Sequence, residues 1–404
     1  MENIFYAHSG GVTSVLNTIA ANVIIEARKA GMGQVLIGKN GILGAIENKL
    51  YATAGLDQNQ LQQIAKTPAS VFGSCRYKLG NNPGEFEKIF DTFAKHEIKH
   101  VIYNGGNDSQ DTTLKLWQAS KDIGYPLQCI GLPKTIDNDL MGMDCCPGFG
   151  SAAKYIAIST LEAALDVKSM SETSTKVFIL EVMGRHAGWL AAASALAKSE
   201  NQLAPHIILM PEVLFDRNKF IQEVDKSVKI NGFCVIVASE GIQDTNDFVA
   251  AASSTDAFGH QQLGGVAQTL ANYIKQDLGY KLHYAIADYL QRSAGHIRSK
   301  CDVDHAVALA KHSVNALARG ESGKVFAIER MNSDQYKWQV IANPIDIVAN
   351  QERCLPKDFI AENGMHVTEA CIDYMRPWIL DEDTPSYAYG IPSYFIDDIP
   401  LIGK

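Results

Sequence analysis

Residues 133–139 read Pro-Lys-Thr-Ile-Asp-Asn-Asp and combine side chains that could transfer a phosphoryl group. Asp137 and Asp139 stand close together beside Lys134 and Thr135, and such a set is costly to bury unless its charges are paired. One carboxylate can accept the proton of a hydroxyl group, and another can help to hold Mg²⁺. The lysine can neutralise charge on a phosphoryl group in transfer. We therefore expect phosphoryl transfer here; the alternative is an ordinary loop with helix-capping residues.

A second polar segment, residues 104–109, reads Asn-Gly-Gly-Asn-Asp-Ser and precedes a helix that we expect to begin near Asp111. The glycines leave room for a phosphate group. Asp108 and Asn107 are candidate Mg²⁺ ligands through oxygen, and Ser109 can donate to a phosphate oxygen. Taken alone, the segment fits a helix N-terminus with turn glycines equally well.

A third turn, Ser9-Gly10-Gly11, follows an apolar run near the start of the chain. Its glycines allow the backbone to approach a ligand, and the next helix offers unpaired N–H groups to an anion. An isolated Gly-Gly pair is more often an ordinary tight turn. This turn therefore gains significance only together with the two segments above.

Short apolar runs alternate along the chain with amphipathic segments. We predict strands at residues 4–7, 35–38, 101–103, 128–132, 177–182, 206–210, 233–238 and 325–328, and helices at residues 15–30, 86–96, 154–167 and 303–319. This alternation predicts parallel sheets covered by helices on both faces. In such sheets ligands bind beyond the carboxyl ends of the strands, where the three polar segments lie. From residue 341 onward the periodicity weakens, and we expect a surface elaboration.

The composition is that of a globular protein, with 46% apolar and 20% charged residues in a chain of 404. This length predicts one large domain or two intimate ones. A formal net charge of −9 argues against a nucleic-acid-binding surface. The sequence shows neither a signal peptide nor a membrane-spanning apolar run, and its eight cysteines are scattered, so we expect a cytoplasmic protein with reduced thiols.

The polar segments, in the order in which they occur along the chain, resemble motifs of the phosphofructokinase family. The resemblance rests on residues 133–139 and 104–109 together with Met-Gly-Arg at residues 183–185. Further matches lie at residues 73–76, 147–152, 211–212 and 289–292. The resemblance covers roughly residues 3 to 330. It implies an α/β fold of two Rossmann-like, three-layer αβα domains with mostly parallel sheets and the active site in the cleft between them.

The resemblance also implies the reaction and its ligands. A phosphoryl group is transferred to the 1-hydroxyl group of fructose 6-phosphate, giving fructose 1,6-bisphosphate, with Mg²⁺ as the cofactor. The donor domain would comprise residues 1–145 and about 290–335. The sugar-phosphate domain would comprise residues 146–289 and about 336–404.

Matching the family residue by residue assigns roles within the site. Asp137 corresponds to the catalytic base, and Lys134, Arg76 and Arg185 correspond to cations that stabilise the transferring group. Glu212 corresponds to the acid that binds sugar hydroxyls. The residues that the resemblance implies for substrate binding are Gly11, Ser109, Thr135, Asp139, Met183, Gly184, Glu212, Tyr289 and Arg292.

Two further cations are expected to reach across from a neighbouring subunit. A family arginine is replaced here by Lys176, and the second arginine has no counterpart at its matching position. Lys281 or His283 can take that place, and we favour Lys281 because it is charged at neutral pH. Crossing cations imply a homodimer or a homotetramer. Alternatively, these side chains are solvated surface charges.

Two positions favour pyrophosphate over ATP as the donor. ATP-using relatives typically have glycine where this chain has Asp108 and Lys134. A carboxylate at the first position excludes the inner phosphate of a nucleotide by size and by charge. Lys134 supplies a cation that partly replaces the binding lost with the nucleoside. The pyrophosphate-dependent branch usually has aspartate where this chain has Asn107, and the neutral amide predicts weaker Mg²⁺ binding.

Three alternatives remain open from the sequence. The first is an ATP-dependent enzyme of the same family, which Asp108 and Lys134 disfavour. The second is a non-catalytic regulatory subunit with the same fold, which the intact catalytic positions disfavour. The third is a broader acceptor range that includes longer ketose phosphates. With pyrophosphate the products are fructose 1,6-bisphosphate and phosphate, and the reaction is expected to run in both directions.

Overall fold

A computed structural model describes residues 2–80, 82–198, 204–245, 247–255 and 261–402. The strands are β1 (Asn3–His8), β2 (Val35–Gly38), β3 (Leu50–Ala52), β4 (Ile98–Gly105), β5 (Gln128–Pro133), β6 (Val177–Val182), β7 (Ile207–Leu209), β8 (Cys234–Ser239), β9 (Ala251–Thr255), β10 (Gln261–Leu263), β11 (Leu282–Ile286), β12 (Lys324–Arg330), β13 (Trp338–Pro344), β14 (Tyr387–Ala388) and β15 (Ile391–Pro392). The α-helices are α1 (Leu16–Lys29), α2 (Ile42–Ile46), α3 (Gln58–Lys66), α4 (Pro83–Lys95), α5 (Asn107–Asp122), α6 (Phe149–Met170), α7 (Trp189–Ala193), α8 (Arg217–Asn231), α9 (Val266–Asp277), α10 (Leu290–Ser293), α11 (Lys300–Ala318), α12 (Ile345–Val348) and α13 (Glu369–Met375).

Two sheets form the framework. The larger has seven strands in the order β13-β12-β5-β4-β1-β2-β3, and the smaller has four in the order β11-β6-β8-β7. All neighbours in the smaller sheet are parallel, and in the larger sheet only β3 and β13 run antiparallel to their partners. The predicted α/β class with mostly parallel sheets is therefore confirmed. Among the described residues, no helix is both long enough and apolar enough to cross a membrane.

The alternation of side chains along β1 explains the layers of the larger sheet. Ile4 and Tyr6 pack in one cluster with α1, α3 and α11, whereas Phe5 and Ala7 pack on the other face with α2 and α4. All four side chains are fully buried. Successive side chains of a strand point to opposite faces, so a strand covered on both sides must be apolar throughout.

All of the predicted strands and helices overlap observed ones. One boundary was wrong, because α5 begins at Asn107 rather than near Asp111. Gly106 precedes the helix in an extended conformation and carries no side chain that could cap it. Asn107 and Asp108 therefore lie in the first turn of the helix rather than in a loop.

The prediction that the tail is a surface elaboration was also wrong. Trp378 is fully buried and packs with Phe149 and Trp189 in the core beside the smaller sheet. Phe395 belongs to the core beside the larger sheet. The aromatic residues are widely spaced in the tail, so they produce little helical or strand periodicity although they bury a large apolar area.

The pairing of β13 indicates where the last boundary between the two expected domains lies. It pairs with β12 along its whole length, from Trp338 opposite Arg330 to Pro344 opposite Lys324. The chain thus leaves the larger sheet only after Pro344, whereas the family resemblance put the change of domain at about residue 335. We propose the end of β13 as this limit.

Candidate active site

The carboxyl ends of β1, β4, β5, β6 and β8 open into one cleft of about 650 Å³. Segments from both sheets line it, so the polar segments singled out in the sequence lie together. The predicted site residues that line this cleft are Gly11, Arg76, Asn107, Asp108, Ser109, Lys134, Thr135, Asp137, Asp139, Met183, Arg185 and Arg292. The remaining predicted site residues, Lys176, Gly184, Glu212, Lys281 and Tyr289, are outside this lining.

The turn after β5 holds Asp137. The backbone N–H of Asp137 donates to Thr135 Oγ1 at 3.1 Å, and the amide oxygen of Asn138 accepts from the N–H of Cys146 at 2.9 Å. Asn138 has a φ of 55°, in the left-handed region that asparagine tolerates better than most residues. Burial raises the pKa of Asp137, and the positive charges of Arg185 and Lys134 oppose that rise.

Asp139 titrates near neutrality. Burial and then the negative charge of Asp137 raise the pKa of Asp139 to about 7. Two buried carboxylates that repel each other are not readily ionised together. Near neutral pH, a fraction of the protein molecules therefore carries one proton on this pair of carboxyl groups. The positive charges of Arg185 and Lys134 favour the ionised form of Asp137.

Lys134 is buried below the turn that follows β1. Its ammonium group donates to the backbone oxygen of Ser9 at 2.8 Å and also to that of Gly11. Burial lowers the pKa of Lys134 to about 7, and the nearby charges of Arg292 and Arg76 act in the same direction. Three cations that repel one another at the bottom of a cleft favour the binding of a polyanion.

Gly11 allows one of these cations to come close. A side-chain carbon at this position would lie 3.1 Å from Nη1 of Arg292, which is tighter than most contacts of such a carbon. The guanidinium group of Arg292 lies 3.8 Å from the ring centroid of Tyr289. Tyr289 thus orients Arg292 towards the turn after β1 rather than lining the cleft itself.

The amino end of α5 forms another part of the cleft wall. The side-chain oxygen of Asn107 is buried and has no hydrogen-bond partner among the described residues. Oδ1 of Asp108 lies 3.6 Å from Nζ of Lys78. An unpaired amide oxygen next to a carboxylate suits Mg²⁺, which usually takes one or two protein ligands and completes its shell with phosphate oxygens and water. The described residues contain no cluster of three or more acidic, histidine or cysteine side chains placed to hold a metal ion.

Ser109 has a partner that the sequence did not predict. Its hydroxyl group lies 2.7 Å from that of Ser9, so the turn after β1 is linked directly to the first turn of α5. A side-chain carbon at Gly105 would lie 1.9 Å from the Ser109 hydroxyl, which explains the glycine there. Ser109 lines the cleft, and its hydroxyl can exchange this contact for a phosphate oxygen.

The loop after β6 holds Arg185 against β8. The backbone oxygen of Gly184, whose φ is +116°, accepts from the hydroxyl of Ser239 at 2.6 Å. A side-chain carbon on Gly241 would lie 1.7 Å from the backbone oxygen of Arg185. The N–H of Met183 donates to Gln291 at 3.2 Å. The loop is therefore fixed at several points, and Arg185 extends from a rigid backbone.

Glu212 lies next to the tail. Its Oε1 accepts from the N–H of Gly188 at 2.8 Å and from the N–H of Leu355 at 2.7 Å. Its Oε2 is buried without a hydrogen-bond partner in the described part of the chain. Burial raises the pKa of this carboxyl group, and the two backbone donors oppose the rise.

Lys176 and Lys281 lie at the amino ends of the parallel strands β6 and β11, away from the cleft. The ammonium group of Lys176 donates to the backbone oxygen of Ser171, and that of Lys281 donates to the Ser174 hydroxyl at 2.8 Å. Within this chain they are therefore outside the site. Their predicted role in substrate binding therefore requires a second subunit.

Several cleft residues were missed by the sequence analysis. Glu240 follows β8 directly, and burial, followed by the charge of Asp137, raises its pKa to about 7. Its position after a predicted buried strand could have identified it. Asn350 and Glu352 also line the cleft, but they belong to the tail and no sequence pattern points to them. Lys78 and His186 line the cleft as well and were not predicted.

Comparison with known proteins identifies the family. A family model described as phosphofructokinase matches residues 3–317. The chain belongs to the phosphofructokinase family. Phosphofructokinases generally depend on Mg²⁺. The match contains every segment on which the resemblance was based, and it ends before β12.

Individual relatives extend the similarity to the tail. A pyrophosphate–fructose 6-phosphate 1-phosphotransferase of Halomonas elongata is 50% identical over 97% of this chain and 95% of its own length. A protein of the same name from Methylococcus capsulatus is 48% identical over the same shares. A crystal structure of a pyrophosphate-dependent phosphofructokinase from Marinobacter aquaeolei matches with a TM-score of 0.92 and 47% identity, and covers 100% of this chain and 98% of that one.

Proposed function

We propose that this phosphofructokinase transfers a phosphoryl group from pyrophosphate to the 1-hydroxyl group of fructose 6-phosphate. The products are fructose 1,6-bisphosphate and phosphate, and the reaction is reversible. The observation that carries the proposal is that a buried carboxylate, Asp137, shares one cleft with Lys134, Arg76 and Arg292. A base for the hydroxyl and a cationic site for phosphates are thus side by side.

Asp137 acts as the general base. It accepts the proton of the 1-hydroxyl group as the oxygen attacks one phosphorus atom of pyrophosphate, and the bond to the bridging oxygen breaks to release phosphate. Burial raises the pKa of Asp137 and so makes its carboxylate a stronger base than one in water. Arg185 lines the same cleft, and its positive charge lowers the pKa of Asp137 and so helps to keep the base ionised until the hydroxyl is bound.

The cations stabilise the charge on the transferring oxygens. Lys134 is tied to the backbone oxygen of Ser9, so its charge has a fixed position and needs no reorganisation during transfer. Arg76 and Arg185 line the same cleft and add two further positive charges. Binding of pyrophosphate also relieves the repulsion among these cations and thereby raises the pKa of Lys134 again.

Asp108 and Lys134 select the donor. Asp108 extends into the cleft from the first turn of α5, the place where a longer donor would need room for an inner phosphate. Its charge repels such a phosphate, while the charge of Lys134 strengthens the hold on pyrophosphate. Asn107 and Asp108 would hold Mg²⁺, which when bound supplies further positive charge beside the phosphates.

We also propose that the site is completed between subunits of a homodimer or homotetramer. β11 is an edge strand, and its Tyr284 and Ile286 are 41% and 48% exposed. An exposed apolar edge strand is normally covered by another chain or element. Lys281 lies at the start of this strand and Lys176 at the start of its neighbour β6, so a second subunit packed there would receive their charges.

The deciding experiment supplies fructose 6-phosphate and Mg²⁺ with either pyrophosphate or ATP. We expect fructose 1,6-bisphosphate to form with pyrophosphate only. Formation with ATP alone would overturn the donor assignment, and no product with either donor would favour a regulatory subunit. A parallel assay with longer ketose phosphates measures the breadth of the acceptor site.

A further inference from the structure

A short segment of the tail crosses the cleft between the two sheets. This segment, residues 350–355, is called the strap here. It lies beyond residues 3–317, the part of the chain matched by the family model. On the side of the larger sheet, the N–H of Arg353 donates to the backbone oxygen of Asp139 at 2.7 Å, and Glu352 forms a bridge with Leu140. The strap is thus hydrogen-bonded directly to the end of the catalytic turn.

The other end of the strap contacts the sugar side of the site. The N–H of Leu355 is one of the two donors that hold Oε1 of Glu212, at 2.7 Å. The Leu355 side chain is buried in the core beside the smaller sheet. The strap therefore links the catalytic turn to Glu212, although these belong to different sheets.

Arg353 fixes the middle of the strap. Its Nη1 donates to the backbone oxygens of Met143 and Asp144 at 2.8 and 2.7 Å. Its guanidinium group lies 4.4 Å from the ring centroid of Trp189, and its backbone oxygen accepts from Nε1 of the same tryptophan at 3.2 Å. The side chain of Arg353 is thus held by two backbone oxygens and by the Trp189 ring, and its backbone is held by Nε1 of that tryptophan.

The state of Glu212 shows what this fixation achieves. Oε1 has two backbone donors, whereas Oε2 is buried and unpaired among the described residues. A buried unpaired oxygen is costly, and a sugar hydroxyl is the donor that would satisfy it. If the strap shifted, the carboxyl group could rotate and either oxygen could face Gly188. The strap therefore holds Glu212 in the one orientation that leaves an oxygen for the ligand.

We propose that Arg353 is a positioning residue for the sugar phosphate: it fixes the strap, and the strap fixes Glu212 relative to Asp139. The inference rests on the proposed function, because it assigns fructose 6-phosphate to Glu212. Arg353 does not itself contact the reacting atoms. Its loss should therefore weaken sugar binding more than it slows transfer.

The test compares Arg353→Met with Arg330→Met. Arg330 also binds the tail, because its Nη2 donates to the backbone oxygen of Tyr374 at 2.6 Å. Its Nε donates to the side chain of Asp144 at 3.1 Å. Both variants lose an arginine that binds near Asp144, but only the first loosens the strap. We expect Arg353→Met to raise the KM for fructose 6-phosphate about tenfold, with the KM for pyrophosphate and kcat changed by less than about threefold. Arg330→Met should change all three by less than about twofold.

Two further measurements separate positioning from stability. In a Glu212→Ala background, Arg353→Met should add no further rise in KM, because the residue through which it acts is gone. Calorimetric titration with fructose 6-phosphate should show the same loss of affinity as KM. If Arg353→Met does not fold, Arg353→Lys is compared with Arg330→Lys in the same assays, with a smaller rise expected because lysine keeps one donor.

The outcomes distinguish this inference from the proposed function. Equal effects of the Arg353 and Arg330 variants on the KM for the sugar phosphate would overturn the positioning role, and so would full additivity with Glu212→Ala. A wild-type protein without turnover would overturn the proposed function instead. The calorimetric comparison would then still decide whether Arg353 governs sugar-phosphate binding.

Discussion

The ammonium group of Lys134 donates to the backbone oxygen of Ser9 at 2.8 Å, and so joins the turns after β5 and β1. These turns are far apart in the sequence, and their strands are two positions apart in the sheet, with β4 between them. The bond gives a fixed position to a cation that is nearly excluded from water. A lysine held in this way is sensitive to pH and to the charge of its ligand.

The pH dependence of pyrophosphate use follows from Lys134. Its pKa is lowered to about 7 in the folded protein, so the free enzyme loses this charge as the pH rises through 7. We expect kcat/KM for Mg-pyrophosphate to fall above pH 7, and we expect Lys134→Arg to abolish this fall because arginine stays charged. Asp139→Asn is the control, since Asp139 has a pKa of about 7 as well. A fall that disappears in Asp139→Asn but persists in Lys134→Arg would assign it to the carboxyl group.

The lowered pKa of Lys134 also makes the free energy of unfolding depend on pH. In the unfolded chain, the lysine titrates near pH 10, so between pH 7 and 10 the unfolded state binds the extra proton. The contribution of Lys134 therefore makes the free energy of unfolding increase with pH in this window. In Lys134→Met, unfolding by urea should lose this part of the pH dependence; an unchanged slope would mean that the lysine is not shifted.

Asp137→Ser tests the general base. We expect kcat to fall by roughly 10²–10⁴-fold, because the 1-hydroxyl group loses its proton acceptor. The affinity for fructose 6-phosphate, measured by calorimetry, should change little since serine leaves the cations and Glu212 in place. Unchanged turnover would reject Asp137 as the base, and lost sugar binding would indicate a wider disturbance of the turn.

Asp108→Gly tests the exclusion of ATP. Removal of the carboxylate should allow measurable product formation with ATP and weaken the use of pyrophosphate. Lys134→Gly in the same chain should increase the ratio of ATP to pyrophosphate activity further. If neither variant uses ATP, other parts of the cleft exclude the nucleotide, and Glu352 of the strap is the next position to change.

Asn107→Asp tests the Mg²⁺ ligands. A second carboxylate beside Asp108 should lower the Mg²⁺ concentration that gives half-maximal activity by roughly threefold or more. Asn107→Ala should raise that concentration, because the unpaired oxygen is lost. Identical Mg²⁺ requirements in the three proteins would place the ion away from Asn107.

Trp378→Ala tests the role of the tail in the core. The side chain is fully buried between Phe149 and Trp189, so its loss should lower the free energy of unfolding by about 3–5 kcal/mol. Ile396→Ala, at a position 90% exposed in the same tail, should change it by less than about 0.5 kcal/mol. Denaturation by urea measures both, and similar losses would mean that the tail packs differently.

The sequence predicted the elements whose burial is uniform. Strands such as β6 and β8 are buried on both faces, so each forms a nearly continuous apolar run. Their first and last residues were therefore predicted to within one position. β11 was missed because only Leu282 among its five residues is buried. A strand at an exposed edge loses the apolar pattern on which such predictions rest.

The prediction of the site succeeded where the residues follow one another in the chain. Lys134, Thr135, Asp137 and Asp139 share one turn, so their chemistry was visible as a motif. The contribution of Asn350 and Glu352 was not visible, because contacts with residues distant in the sequence hold the tail at the cleft. Examples are the bonds of Arg353 with Trp189 and with Asp139. Long-range contacts of this kind leave no local pattern in a single sequence.

The order of strands in the larger sheet has a consequence for biosynthesis. β5 ends at Pro133 and pairs with β12, which begins at Lys324, so the ribosome must make the whole smaller sheet before the larger one can be completed. At about 5–20 residues per second, this interval lasts roughly 10–40 seconds. During it, the edge of β5 is unpaired while the chain is still growing. Until β12 emerges, that edge is open to pairing with other nascent chains, and a chaperone bound there would protect it.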